Sequence, residues 1–204
     1  MAARYPIVLN STTLQEIQSG DTMAGLTSTS GVQKGDGTGG LTAATAGSDY
    51  VAPATATNFT AKQTFTGATA SLASAFINAT EFTTISATAA TGTINYDVTT
   101  QSVLYYTSNA SANWTVNVRG NATTSLNTLM TTGDSLTVVF LDTQGSTAYY
   151  NNAITIDGVS FTPKYQGGTA WTAGNVSGID AYSYTIVKTG SAAFTVFAAQ
   201  TQFK

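Results

Sequence analysis

The stretch Trp114-Thr-Val-Asn-Val-Arg119 decides how this chain is read. Its apolar residues recur at every second position, so an extended backbone places Trp114, Val116 and Val118 on one face. That is the pattern of a strand with one side buried. Working outward, Ile94-Asn-Tyr-Asp-Val98 repeats the same period, and Gln101-Ser-Val-Leu-Tyr-Tyr-Thr107 follows after a Thr-Thr break. Ser125-Leu-Asn-Thr-Leu-Met130 is the one credible helical turn, because Leu126, Leu129 and Met130 fall at spacings of three and four. Gly133-Asp134 then turns the chain into Ser135-Leu-Thr-Val-Val-Phe-Leu141, apolar enough for a central strand. Ile154-Thr-Ile-Asp-Gly-Val-Ser-Phe161 contains Asp157-Gly158, a short-hairpin signal. Tyr182-Ser-Tyr-Thr-Ile-Val-Lys188 and Ala193-Phe-Thr-Val-Phe-Ala198, joined through Thr189-Gly190-Ser191, read as a closing hairpin. About eight or nine strands over roughly 110 residues is the spacing of a sandwich or jelly roll. The expected fold is therefore all-β, with a C-terminal antiparallel β-sandwich or jelly-roll-like domain over residues 93–204.

Upstream the composition changes. Residues 58–92 are Thr/Ala-rich with sparse apolar anchors, and read as a short stalk or transition region that ends in the first strand of the domain, Glu81-Phe-Thr-Thr-Ile-Ser-Ala-Thr88. Phe59, Phe65 and Phe76 are candidates to meet their own copies across a symmetry axis; the alternative is that they pack on their own chain. Residues 21–57 are mostly Gly, Ser, Thr and Ala around Gly35-Asp-Gly-Thr-Gly-Gly40, the composition of a linker. Residues 1–20 hold Tyr5-Pro-Ile-Val-Leu-Asn10 and Thr13-Leu-Gln-Glu-Ile-Gln18, two short strands or a strand and a turn. An extended arm and linker thus precede the domain.

The composition narrows function sharply. The 204 residues include seven Lys+Arg, ten Asp+Glu, no His and no Cys, for a net charge of −3. Without His or Cys there is no Ser-His-Asp or Cys-His catalysis, no zinc finger and no iron–sulfur cluster. Seven scattered cations do not make a nucleic-acid surface. The apolar runs are short, so neither membrane insertion nor a classical export signal is expected. A mean hydropathy of +0.06 with 42% hydrophobic residues is that of a folded, soluble chain. No cofactor or metal is expected.

Carboxylates are the acid–base groups that remain. Asp97, Asp134, Asp142, Asp157 and Asp180 lie in the domain, with Glu81 just before it. A glycosidase pair needs two carboxyls roughly 5–9.5 Å apart, and Asp134 and Asp157 are adequately explained as turn residues beside glycine. Structural roles are the expectation for all of them. Aromatic loop residues are the better lead. Lys164-Tyr-Gln-Gly-Gly-Thr-Ala-Trp-Thr-Ala-Gly-Asn175 places Tyr165, Trp171 and Asn175 in one glycine-punctuated connection, where a ring with polar neighbours could stack on a host glycan. The alternative is that Trp171 folds back as a cap or packs on a neighbouring subunit. Seven Asn-x-Ser/Thr triplets follow from the threonine content and carry no glycosylation assignment.

Three stretches carry a resemblance. Arg4-Tyr-Pro-Ile-Val-Leu-Asn10 with Leu14-Gln-Glu-Ile-Gln-Ser-Gly-Asp21 resembles the opening of many tailed-bacteriophage virion proteins, a segment that docks on the particle. Gly31-Val-Gln-Lys-Gly-Asp-Gly-Thr-Gly-Gly40, continuing to Tyr50-Val-Ala-Pro53, is similar to a linker of phage fibre proteins. The chain from Thr107 to Lys204 is similar to C-terminal domains of phage fibre and appendage proteins. The resemblance implies a non-enzymatic virion component, usually trimeric, bound to other virion proteins of capsid, neck or tail. It makes Arg4, Tyr5, Ile7, Leu9, Leu14 and Ile17 the candidate anchoring residues. A tail, neck or head fibre, a capsid decoration protein and a glycan-binding adhesin all remain open at this point.

Overall fold

The structure is a computed structural model and describes residues 7–10, 13–16, 33–35, 41–44, 62–64, 77 and 79–204. The chain divides into two compact units, Met1–Ala75 and Phe76–Lys204. In the first, β1 (Ile7–Asn10) pairs antiparallel with β2 (Thr13–Glu16), with Ile7 opposite Glu16 and Leu9 opposite Leu14. A second short ladder, β3 (Gln33–Gly35) against β4 (Leu41–Ala43), lies within the stretch whose composition reads as linker.

The second unit is all-β. It contains β5 (Thr83–Ala89), β6 (Gly92–Asp97), β7 (Val103–Asn109), β8 (Trp114–Arg119), β9 (Ser135–Thr143) and β10 (Asn151–Ile156). These are followed by β11 (Val159–Phe161), β12 (Lys164–Tyr165), β13 (Ile179–Gly190) and β14 (Ala193–Phe203). The helical turn expected near Leu126 is α1 (Leu126–Leu129). β5 falls on the stretch Glu81–Thr88 that reads as the first strand of the domain.

The strands form a six-stranded sheet, β12-β14-β13-β9-β7-β5, and a four-stranded sheet, β11-β10-β8-β6. From β5 to β10 the chain alternates between them, one strand to the larger sheet and the next to the smaller. Each strand therefore returns beside the one two steps earlier and points the same way. The pairs β5–β7, β7–β9, β6–β8, β8–β10 and β12–β14 are parallel, whereas β9–β13, β13–β14 and β10–β11 are antiparallel. The expected antiparallel, jelly-roll-like pairing is corrected accordingly. The reason is physical: period-two alternation reports that one face is buried, and says nothing of the direction of the neighbouring strand.

Both sheets turn their apolar faces to one core. Ile94, Tyr96, Trp114, Val116, Val118, Ile154 and Ile156 come from the smaller sheet. Leu104, Val138, Phe140, Tyr182, Tyr184, Ile186 and Val196 come from the larger. Trp114, 1% exposed, joins them, meeting Phe140 and Tyr182 edge-on at ring-centroid distances of 5.8 and 5.6 Å. Local chemistry fixes the corners. Asp157 and Gly158 have φ of 52° and 81°, the left-handed pair of a tight β10–β11 hairpin. Asp157 then works at a distance in sequence. Its carboxylate accepts the N–H groups of Leu126 and Asn127 at 2.7 and 2.9 Å, while Ser125 Oγ accepts that of Thr128. At the other end of α1 the buried Lys188 Nζ donates to the carbonyls of Asn127 and Met130. One short helix thus has an anion at its positive end and a cation at its negative end.

Candidate functional site

The connection from β12 to β13 brings Tyr165 and Trp171 together, and engages both of them, and Asn175 separately, in the fold. Tyr165 leaves β12 pointing inward and meets Trp171 edge-on, with ring centroids 5.0 Å apart. Trp171 also lies against Tyr182, at 5.3 Å, and Tyr184, at 6.5 Å. Its indole Nε1–H donates to the carbonyl of Asn151 at 2.5 Å. An indole fixed on three rings and hydrogen-bonded to the backbone closes one end of the core. Asn175 is a bracket: its Nδ2 donates to Phe203 O at 2.8 Å, and its backbone N–H donates to Asp180 Oδ2 at 3.0 Å. Two shallow clefts flank the region. One, of about 480 Å³, is lined by Lys164, Tyr165, Gln166 and Phe197; the other, of about 210 Å³, by Gln166, Thr169, Trp171 and Gln200.

Behind Trp171 is a feature that the sequence reading missed. Asp142 on β9 and Asp180 on β13 are direct partners in the antiparallel ladder, both point inward and both have no exposed surface. Gln144 Nε2 donates to Asp142 Oδ2 at 2.6 Å, and Asp180 Oδ2 receives the Asn175 N–H. Each Oδ1 has no hydrogen-bond partner. Burial and the facing carboxyl push Asp142 up to about 8, and burial raises Asp180 as well. Two of the body's cations are engaged elsewhere: Arg119 pairs with Asp97 at 2.6 Å, and Lys188 is held by α1. The signal available in sequence was parity. Asp142 and Asp180 continue the inward positions of Val138-Phe140 and Tyr182-Tyr184, but only knowledge of the pairing register sets them opposite each other.

The outer face of the smaller sheet is polar and pairs with itself. Asn117 Nδ2 donates to Asn95 Oδ1 at 2.8 Å, and Asn117 Oδ1 accepts from Thr155 Oγ1 at 2.8 Å and from the Gly158 N–H at 2.9 Å. The Asp97–Arg119 pair forms the next row, beside a polar cleft of about 330 Å³ lined by Asn117, Arg119, Thr124 and Asp157. Of the candidate anchoring residues, Ile7, Leu9 and Leu14 lie on the β1–β2 ladder. Arg4, Tyr5 and Ile17, and the candidate axis residues Phe59, Phe65 and Phe76, lie outside the described residues. Among the described residues no three acidic, His or Cys side chains are grouped to hold a metal, and no helix is long and apolar enough to cross a membrane. No protein-family model, curated protein or solved structure matches the chain.

Proposed function

We propose that the chain is a non-catalytic structural component of a tailed-phage virion, a short homotrimeric appendage anchored by its N-terminal segment and projecting its C-terminal all-β body. The observation that carries this reading is how the body spends its chemical groups. All five of its aspartates are engaged in structure. Asp97 pairs with Arg119, Asp134 accepts the Thr131 N–H, Asp157 caps α1, and Asp142 and Asp180 are buried together. A body with its aspartates spent in this way is suited to holding a shape. The separate small N-terminal unit, with its particle-docking resemblance in residues 4–21, supplies the attachment.

The test is incorporation. Deletion of residues 1–20 is expected to leave a body that still unfolds cooperatively while the chain disappears from purified particles. Normal incorporation of the deletion would refute the anchoring role. Copy number then separates a fibre, at tens or fewer per particle, from a capsid decoration protein, at hundreds. A second reading, as a glycan-binding adhesin, is favoured by the clefts that share Gln166 between Tyr165 and Trp171. Binding on a glycan array that is lost in Gln166→Ala would support it.

A further inference from the structure

The two sheets treat solvent differently. On the smaller sheet, Asn95, Asn117 and Thr155 satisfy one another and the charges of Asp97 and Arg119 stand beside them. The outward positions of β5, β7, β9, β13 and β14 hold no charged residue. Register aligns them in rows. Val103, Val139, Ser183 and Ala199 form one row across four strands. Ile85, Tyr105, Leu141 and Ala181 form the next, two residues along. Thr137 and Thr185 continue the face and bond to each other through their hydroxyls at 3.0 Å. Lys164, on the edge strand β12, stands beside Phe197 at the margin of this face.

Large apolar side chains stand out from this surface. Ile85 is 68% exposed, Phe197 49% and Phe203 54%, and Phe82, 68% exposed, lies immediately before β5 at the sheet edge. A sheet face whose five central strands carry no outward charge, and on which large apolar side chains stand among threonines and serines, marks an association surface.

We infer that the outer face of the six-stranded sheet is the surface through which copies of this chain pack on one another. The inference rests on the homotrimeric part of the proposed function and names the face that carries it. Three arguments select a second copy as the occupant. A face with no charge on five strands needs an equally uncharged partner, and each copy supplies one. Five strands spaced about 4.8 Å apart, with rows covering about 20 Å along them, give on the order of 500 Å² of sheet. Doubled over two copies, that is about 1,000 Å² in total, the floor for a biological interface. The polar ladder and ion pair, finally, keep the opposite face of the body in water, so copies gather with this face turned inward to a shared axis and offer no second apolar face for open-ended growth.

Light scattering on the full chain at micromolar concentration tests this. The wild type is expected near three times its 21.0 kDa mass. Ile85→Lys and Phe197→Lys, at positions too exposed to be needed by the monomer fold, are each expected to lower the mass toward that of one chain while circular dichroism still records a cooperative melt. Thr155→Lys, on the outer face of the smaller sheet, is the control and should remain oligomeric. An oligomer unchanged by both face variants overturns the inference and leaves the trimer to another surface. A wild-type mass of one chain overturns the trimer itself and this inference with it, while particle incorporation, measured separately, still decides the appendage reading. An oligomer that forms only after mixing with another virion protein assigns the face to that partner and likewise overturns the inference.

Discussion

The buried Asp142–Asp180 pair makes stability fall as pH rises, in the range where carboxylates usually do the opposite. The two side chains face each other across the β9–β13 ladder with no cation beside them, and Gln144, the Asn175 backbone and Tyr182 are the groups around them. Two ionised carboxyls placed directly opposite are unfavourable. One proton retained by the pair removes that repulsion and gives the two unpartnered Oδ1 atoms a donor. Asp142 rises from 3.8 in the unfolded chain to about 8 in the fold. Between those values the folded state binds the proton and the unfolded state has released it, so folding is fully supported below about pH 4 and loses support up to about pH 8. At about 1.4 kcal/mol per pH unit, the loss over that window is on the order of 5 kcal/mol as an upper bound, against a total of about 5–15 for a domain. Thermal unfolding followed by circular dichroism from pH 5 to pH 9 measures it. The melting temperature should decline with pH and then level off above about pH 8. Asp142→Asn keeps the shape, supplies an amide donor toward Asp180 and removes the repulsion, so it should flatten the slope and melt above wild type at pH 8. A wild type whose stability is level or rising from pH 5 to pH 8, together with a less stable Asn variant at pH 8, would refute the shared proton.

Two further outcomes test the architecture. Asp157→Ala removes both acceptors from the start of α1 and puts a β-carbon residue without a polar tip at φ 52°, so it should cost about 2 kcal/mol or more; Asp157→Asn, which tolerates that φ, should recover part of it in the same denaturant titration. Trp171→Ala strips the three-ring contact and the Asn151 hydrogen bond and should destabilise the body by about 2–4 kcal/mol, whereas an unchanged melting temperature would show that the indole is not part of the core.

Much of the strand content was legible because it depends on short-range periodicity. Trp114, Val116 and Val118 are all buried as their spacing requires, and the Asp157-Gly158 hairpin and the α1 turn fall where local chemistry puts them. Strand direction was not legible. Gly92, at φ 59°, lets the chain pass from β5 to β6 across only Ala90 and Thr91, and nothing local says whether such a corner leads to a hairpin partner or to the facing sheet. The site was legible only as a cluster: Tyr165 and Trp171 do come together, but the use of the indole N–H by Asn151 depends on a residue twenty positions away. The Asp142–Asp180 pair is a register effect, which no property of either neighbourhood reveals.

The low charge of the chain acquires a structural meaning once its charges are located. Only 8% of the residues are charged, and within the body many of these do not serve solvation. Lys188 is 7% exposed and completes α1, Asp142 and Asp180 are buried, Asp157 is bound to α1, and Arg119 and Asp97 neutralise each other. Threonine hydroxyls and asparagine amides are left to face water, and on the smaller sheet they bond laterally along in-register rows. Such rows need equivalent side chains at equivalent heights on neighbouring strands, which the parallel return of β6, β8 and β10 provides. On the larger sheet the same parallel return of β5, β7 and β9 aligns Val103 with Val139 and Tyr105 with Leu141, so alignment there concentrates apolar surface instead. A single winding pattern thus produces one face satisfied in water and one face that is not. Adding charge to the second face should therefore raise the solubility of the isolated chain and weaken its association together, because both properties are set by the same few outward residues.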